Sequence, residues 1–376
     1  MRLLKLRVEN FRNYSRSEVE FNKNVNLFLG NNGQGKTNLL EAIHYALTGQ
    51  PIRFVRPEGL INENSALESF SAVALVNIQG VENEVKAQYS GGKKRHLIGE
   101  KSLSSSSFKN AVNLVLFTPD TLNIIKGGSS ERRHFIDEIW CSFDSNAKRL
   151  IRDYNQCLRS RNKLLKDAAE GRLKPTETDD LLSSINASFL NLATQVISGR
   201  ISTIKSVLPM VKNVAKTFFK DTSVDISVDY VISKKSAIDW AKNQVYDALK
   251  LRLDELRKAE IFSGQSLVGP QKNDIVFYLN SHDARFFCSQ GQQRAIALAF
   301  KIAQIQLFQQ LKGYYPLLLL DDVFSELDEE RREQLLEVLL NVSAQIFLTS
   351  TDLSTKKLFA RKELKVFMID NGNVNG

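Results

Sequence analysis

Apolar and charged positions alternate from the first residues. Leu4, Leu6 and Val8 are separated by Lys5 and Arg7 and followed by Glu9, the period-two pattern of a half-exposed strand. A turn at Asn10-Phe11-Arg12-Asn13-Tyr14 leads to a short strand through Val19-Glu20-Phe21, then to the apolar run Val25-Asn26-Leu27-Phe28-Leu29. Helical spacing follows over 38–47. Alternation returns at 70–78 and 82–89, which predicts a hairpin around Gln79-Gly80, with one more strand at 95–98 beyond Gly91-Gly92. Lys93-Lys94-Arg95-His96 is read as a basic connection between those strands, and Ser104-Ser105-Ser106-Ser107 as a polar loop. A short apolar strand at 113–117 ends at Thr118-Pro119-Asp120, a breaker and helix cap.

From about residue 130 the period changes. Helical spacing dominates 132–143, 148–165, 185–207 and 238–258, broken by a strand-like stretch at 224–231 and an interhelix loop at 171–180 that contains Pro175. Strand and turn signals resume at Gly269-Pro270, at 274–279 and at Arg285-Phe286-Phe287-Cys288. Ser289-Gln290-Gly291-Gln292-Gln293 then opens a long helix over 294–311. Leu317-Leu318-Leu319-Leu320 is apolar on both faces, as in a covered parallel sheet. Next come a turn at Ser325-Glu326-Leu327-Asp328, a helix over 329–340, a strand over 344–349 and the polar run Ser350-Thr351-Asp352. Lys356, Lys357, Arg361 and Lys362 make a basic tail before a strand over 366–370 and an Asn371-Gly372 turn. The pattern is an α/β unit split by a mainly helical insertion: 1–129, 130–261 and 262–376.

Composition narrows the classes. The chain has 376 residues, enough for two compact units. With 43% hydrophobic and 25% charged residues it is not a disordered chain. Lys+Arg number 51 against 42 Asp+Glu, a net charge of +9. That excess favours a polyanionic partner such as DNA, because neutralised phosphates release counterions. The candidate contacts are Lys93, Lys94 and Arg95, together with Arg149 and Arg152 on a helix that also carries Arg159, Arg161, Lys163 and Lys166. Cys141, Cys157 and Cys288 form no C-x-x-C pair, so neither a zinc site nor a disulfide framework is suggested. The opening residues lack a signal-type apolar core, and no window approaches the ~20 apolar residues of a membrane span. A cytoplasmic protein with no membrane partner is expected.

The chemistry centres on Gly30-Asn31-Asn32-Gly33-Gln34-Gly35-Lys36-Thr37, a G-x-x-x-x-G-K-[ST] P-loop placed after a strand and before a helix, as the motif requires. Its glycines let backbone N–H groups turn inward on phosphates, and the helix that runs on through Asn38 adds its positive end. Lys36 supplies a mobile charge for the β- and γ-phosphates of ATP, and Thr37 a hydroxyl for Mg²⁺. Asp321 and Asp322 end the leucine strand, where acids of an α/β sheet face the ligand crevice. Asp321 is expected to hold Mg²⁺, chiefly through water, and Asp322 to take a proton from the attacking water. Ser289 and Gly291 at a helix start make a second anion-binding terminus. Since the P-loop already holds one phosphate tail, the second is most economically explained by a nucleotide carried on another subunit.

In this order, a P-loop, a helical insertion, a Ser-x-Gly-Gln helix start, a strand ending in Asp-Asp and a Ser-x-Leu-Asp turn resemble an ABC-type ATPase head of the SMC-like branch. Within that branch the chain is most similar to the RecF family. Further residues carry the likeness: Asn10 to Tyr14, Phe117-Thr118-Pro119-Asp120, Arg132-Arg133 before Phe135-Ile136-Asp137, Gly269-Pro270, and Leu320 to Asp328. The resemblance implies a P-loop head with a mixed sheet, ATP and Mg²⁺ as cofactors, and Arg12 and Asn13 in contact with nucleotide near Lys36. It also implies that Ser289, Gly291 and Gln292 reach the γ-phosphate of ATP bound by a second protomer, with Asp328 at the same seam and Gln292 joining Lys36 and Asp322 in catalysis. The implied activity is a weak, DNA-stimulated ATPase. Two heads dimerise around ATP on duplex DNA or single-strand/double-strand junctions, and act with RecO and RecR to load RecA.

Three positions depart from the patterns. The RecF family tends to have His-Arg-Asp-Asp after Gly-Pro, whereas this chain has Gln271-Lys272-Asn273-Asp274. No histidine follows the 344–349 strand, where transporter ATPases carry one; Thr349-Ser350-Thr351 stand there. Asp322 occupies the usual glutamate position one methylene short, which predicts slow hydrolysis, since water placement is sensitive to small displacements. A transporter ATPase subunit would need that histidine and a surface for membrane partners, and a P-loop kinase has no use for the Ser289 helix start.

Overall fold

A computed structural model describes the chain apart from residues 54, 109–111, 220–222 and 360–361 and the side chains of residues 106 and 107. Arg361 of the basic tail lies outside the described residues. In chain order the first elements are β1 (Arg2–Phe11), β2 (Tyr14–Glu20), β3 (Val25–Leu29), α1 (Lys36–Thr48), β4 (Ser69–Ile78), β5 (Val81–Ser90) and β6 (Lys93–Ile98). Then come β7 (Lys101–Ser102), α2 (Ser105–Phe108), β8 (Leu114–Phe117), α3 (Pro119–Leu122), α4 (Ser129–Phe143), α5 (Ser145–Ala169) and α6 (Pro175–Phe219). These lead to β9 (Ile226–Ile232), β10 (Lys235–Ser236), α7 (Lys242–Ser263), β11 (Asp274–Leu279), β12 (His282–Asp283), α8 (Ala284–Phe287) and α9 (Gln290–Lys312). The chain ends with β13 (Leu317–Leu320), α10 (Glu329–Asn341), β14 (Ile346–Ser350), α11 (Thr355–Leu358), β15 (Leu364–Asp370) and β16 (Asn373–Asn375). They pack as two compact units, Met1–Leu122 with Gln304–Gly376, and Asn123–Ala303.

The first unit holds two sheets. One is antiparallel in the order β2-β1-β4-β5-β6-β7; the other runs β16-β15-β3-β14-β13-β8, parallel except where β16 turns back on β15. Helix α1 buries ten of its thirteen residues, Lys36, Glu41 and Thr48 among them, so it is covered on nearly every side. Leu39, Leu40, Ile43, Tyr45 and Leu47 of α1 share one core with Leu6 and Val8 of the antiparallel sheet and Leu317, Leu319 and Phe347 of the parallel one. The alternation in β1 holds with one correction. The register shifts between Leu3 and Lys5, so Leu3 is buried and Leu4 only partly so. The parallel sheet brings the P-loop strand β3 beside β14, and β14 beside β13.

Other expectations in this unit are corrected. Lys93, Lys94 and Arg95 do not form a connection; they lie within β6, paired with Ser90, Tyr89 and Gln88 of β5, and His96 points into the core. The serine run is not all loop, because Phe108 is fully buried and closes the short helix α2.

In the second unit, helices α4 to α7 accompany the sheet β10-β9-β11-β12. Helix α6 is 45 residues long and begins at Pro175, inside the expected loop. Proline suits a first helical position, whose N–H has no intrahelical partner. The unit extends past residue 261 to Ala303 because β11 pairs with β9. Arg285 to Phe287 are helical, not extended. Arg161, grouped above with the other cations of its helix, is 1% exposed and ion-paired with the equally buried Glu260 at 2.7 Å. It also donates to Ser266 Oγ and Asn186 Oδ1, so its burial is fully compensated, as a buried charge demands.

Candidate nucleotide site

The P-loop leaves β3 at Leu29 and re-enters regular structure at Lys36. Gly35 caps α1 at φ +111 with no side-chain cap, a conformation natural to glycine, so the first-turn N–H groups face the loop interior. An added Cβ there would lie 2.4 Å from Asn13 Nδ2. Lys36 Nζ donates to the carbonyls of Gly30 at 2.7 Å and Asn31 at 2.8 Å, curled over the loop. Burial lowers its pKa, opposed by the nearby charges of Asp322 and Asp321.

Thr37 Oγ1 donates to Asp321 Oδ1 at 2.8 Å, joining the loop to the end of β13. Burial raises the Asp321 pKa, while the Thr37 and Thr349 hydrogen bonds pull it down. A hydroxyl beside a single carboxylate is the donor set that Mg²⁺ accepts when phosphates and water complete its shell. Asp322 is half-buried at φ +49, an uncommon backbone for aspartate, and its carbonyl accepts from Ser325 Oγ at 2.8 Å.

Around this centre the sequence reading missed several supports. Asn13 Nδ2 donates to the Gln34 carbonyl at 3.0 Å, Asn38 Nδ2 donates to Asn13 Oδ1 at 2.8 Å, and the Tyr14 hydroxyl donates to the Gly35 carbonyl at 2.9 Å. At the C-terminal turn, the Asn371 N–H donates to Gln34 Oε1 at 2.8 Å and the Gly372 N–H to the Gln34 carbonyl at 3.1 Å. Arg12 Nε pairs with Glu41 at 2.9 Å, and its Nη1 donates to the Gly59 carbonyl. One signal was available for that pair: Glu41 is an isolated acid on the apolar helix α1 and needed a cation. Gly30, Asn31, Asn32, Gly33, Gln34, Lys36, Thr37, Asn38, Asn13, Asp321 and Asp322 are thus gathered in one place.

The Ser289 group belongs to the other compact unit. Ser289 Oγ accepts the Gln292 N–H at 3.2 Å and Gln292 Oε1 accepts the Ser289 N–H at 2.9 Å, a reciprocal capping box at the start of α9. Ser289 is exposed, and Gly291 and Gln292 are half-exposed. Gln293, not singled out from the sequence, is buried and donates to the Ala284 carbonyl at 2.9 Å, anchoring the preceding turn. Phe286 and Phe287 beside it are 75% and 70% exposed. Asp328 lies in the first unit, where it caps α10 by accepting the Arg331 N–H at 2.9 Å. Gln271, where the family tends to have histidine, is held by the Tyr154 hydroxyl and donates to the Val268 carbonyl.

The basic candidates are also divided. Lys93 and Arg95 line a surface groove with Ser71, Gln88 and Tyr89. Arg149 and Arg152 are exposed on α5, in the other unit, with Arg152 ion-paired to Asp153 at 3.0 Å.

A family model described as the RecF/RecN/SMC N terminal domain matches residues 2–375. The DNA replication and repair protein RecF of Pelotomaculum thermopropionicum is 34% identical over 374 residues, covering 100% of both chains. The chain belongs to the RecF family. RecF of Heliobacterium modesticaldum is 33% identical over 359 residues, 94% of this chain and 93% of that protein. A solved RecF, described as the recombination mediator protein RecF-ATP in the RecFOR pathway, superposes with a TM-score of 0.86 at 29% identity, covering 99% of this chain and 96% of that chain. The Smc head domain of Pyrococcus furiosus shares the fold more distantly, with a TM-score of 0.56 at 16% identity over 99% of this chain and 95% of that one. The RecF-type fold is that of an ABC-type ATPase head with an inserted helical lobe. Among the described residues no helix is long and apolar enough to cross a membrane.

Proposed function

We propose that this chain is an ATP-dependent DNA-binding protein of recombinational repair and replication restart. The observation that carries this reading is the division of phosphate-binding elements. Lys36, Thr37, Asp321 and Asp322 cluster in one compact unit, while the exposed Ser289 helix start belongs to the other. A second protomer then completes each site, with Ser289, Gly291 and Gln292 facing the phosphates held by its P-loop and Asp328 at the seam.

Bound ATP would supply the phosphoanhydride bond whose cleavage reopens the dimer. The residues bind and orient. Lys36 releases the Gly30 and Asn31 carbonyls for phosphate oxygens, and Thr37 with Asp321 holds Mg²⁺. Asp322 accepts a proton from the attacking water, slowly because of its short reach. Asn13 and Asn38 keep the loop closed, and Arg12 holds α1 through Glu41. Lys93, Lys94, Arg95, Arg149 and Arg152 offer charge to duplex DNA and to single-strand/double-strand junctions. RecO, RecR and RecA are the partners that family membership suggests, in the cytoplasm.

The test is a titration of labelled duplex and gapped DNA by anisotropy, with and without a non-hydrolysable ATP analogue, with mass measured by sedimentation in parallel. The parent protein should dimerise and bind DNA more tightly with the analogue, and more weakly as salt rises. Lys36→Met should do neither. Nucleotide-dependent dimers of Lys36→Met would end the seam reading, and DNA binding indifferent to both nucleotide and salt would end the DNA reading.

A further inference from the structure

Asp321 and Asp322 share one hydrogen-bonding partner that the sequence did not connect to them. Thr349 lies near the end of β14, the strand placed between β3, which feeds the P-loop, and β13, which ends beside the two acids. Leu348 pairs with Leu320, so Thr349 is level with Asp321. The Thr349 hydroxyl donates to Asp321 Oδ1 at 3.0 Å and accepts the Asp322 N–H at 2.8 Å. The same Asp321 oxygen receives Thr37 Oγ1 at 2.8 Å. Thr349 is only 2% exposed, so water has little room to replace it.

Only a group that both donates and accepts can make this bridge, and a hydroxyl does so from one atom. Its β-branch limits χ1, which narrows the directions the hydroxyl can take. Asp322 gains most, because its positive φ has to be held by its surroundings, and its N–H is one of the groups that hold it.

We propose that Thr349 is a positioning residue for ATP hydrolysis. Its single hydroxyl locks the metal-holding carboxylate of Asp321 and the backbone of the proton-accepting Asp322 into one relative placement. The assignment rests on the ATPase reading given above and adds to it a residue that acts through Asp321 and Asp322. Valine has nearly the same shape but neither donates nor accepts, whereas serine keeps the hydroxyl and loses a methyl. The two variants therefore separate hydrogen bonding from packing.

The experiment uses full-length Thr349→Val and Thr349→Ser. Binding of a fluorescent ATP analogue is titrated with and without Mg²⁺, steady-state kcat and KM are measured, and melting of the nucleotide-free proteins is recorded. Thr349→Val should bind the analogue without Mg²⁺ about as the parent does. It should lose on the order of 10–100-fold in kcat and in the gain of affinity that Mg²⁺ confers, so that KM for the Mg²⁺-bound nucleotide rises in step with the lost affinity. Thr349→Ser should recover both to within about threefold. If the valine variant does not fold, Thr349→Ala makes the same comparison with serine. A valine or alanine variant with parental turnover and parental Mg²⁺ response overturns the assignment and leaves the ATPase reading standing, as does a serine variant as impaired as valine. A parent protein that neither binds the analogue nor turns over ATP ends the ATPase reading, and this assignment with it.

Discussion

At the scale of single residues, burial decides how each polar group behaves. Lys36 and Asp321 are both pushed toward their neutral forms by burial; the Asp322 and Asp321 charges oppose this at Lys36, and the Thr37 and Thr349 hydrogen bonds oppose it at Asp321. His96 has less support. It is 3% exposed, its ring lies 4.7 Å from that of Phe108, and its Nδ1 is 3.4 Å from Ser105 Oγ. Burial first and the Lys94 charge second hold its pKa below the ordinary value, against a hydrogen bond donated to the Gly49 backbone. The folded chain therefore takes up this proton less readily than the unfolded chain. Stability from neutral His96 is full above about pH 6.5 and is lost as pH falls from there toward the folded pKa. Melting temperatures recorded between pH 8 and 5.5 should fall on the acid side, and His96→Gln should flatten that fall relative to its own value at pH 8. An equal fall in the variant would clear His96 of the effect.

At the scale of elements, the C-terminal hairpin braces the P-loop. Strands β15 and β16 meet at Asn371-Gly372, and this turn holds Gln34 of the P-loop by two backbone N–H groups. Gly372 has φ +78, and a Cβ there would lie 2.2 Å from the Asn13 carbonyl oxygen. That contact is with backbone and cannot be relieved by turning a side chain. Gly372→Val should displace the turn from Gln34 and Asn13 and weaken ATP affinity by about tenfold or more, as small displacements of a positioning group do. Isothermal titration against the parent measures it; unchanged affinity would mean that the hairpin merely rests on the loop. The Arg161–Glu260 pair shows the same principle in the other unit, where one buried charge on α5 meets its partner on α7.

At the scale of the whole molecule, the proposed function depends on a second copy. The exposed start of α9 already satisfies itself through the Ser289–Gln292 capping box, so a helix cap alone would account for its geometry. What a cap does not require is Gly291 at the first turn with two exposed phenylalanines beside it. Ser289→Arg should leave ATP binding by the monomer intact, since Lys36 and Thr37 lie in the other compact unit, while abolishing nucleotide-dependent dimerisation and reducing turnover by at least about tenfold. Sedimentation and phosphate release read the two effects. Normal turnover in the variant would leave the helix start as a cap and nothing more.

Local chemistry was legible along the chain. A P-loop between strand and helix, a leucine strand ending in two acids and a serine-glycine helix start are short-range patterns, and each is dictated by backbone conformation or by burial of a few adjacent side chains. Arg161 misled because a charge on an amphipathic helix looks the same whether it meets water or a glutamate 99 residues later. Helix α6 ran past its expected ends because propensity yields to the packing of neighbouring helices. The Thr349 bridge joins residues 28 apart and the closure of Asn371-Gly372 on Gln34 joins residues 337 apart, and both depend on a strand order, β3-β14-β13, that no single segment shows. The sequence by itself determined which short motifs could bind phosphate and metal, because the residues within each motif are contiguous. Only the tertiary structure decided what holds them in place, because hydrogen bonds between distant segments depend on strand order and register, which no local pattern encodes.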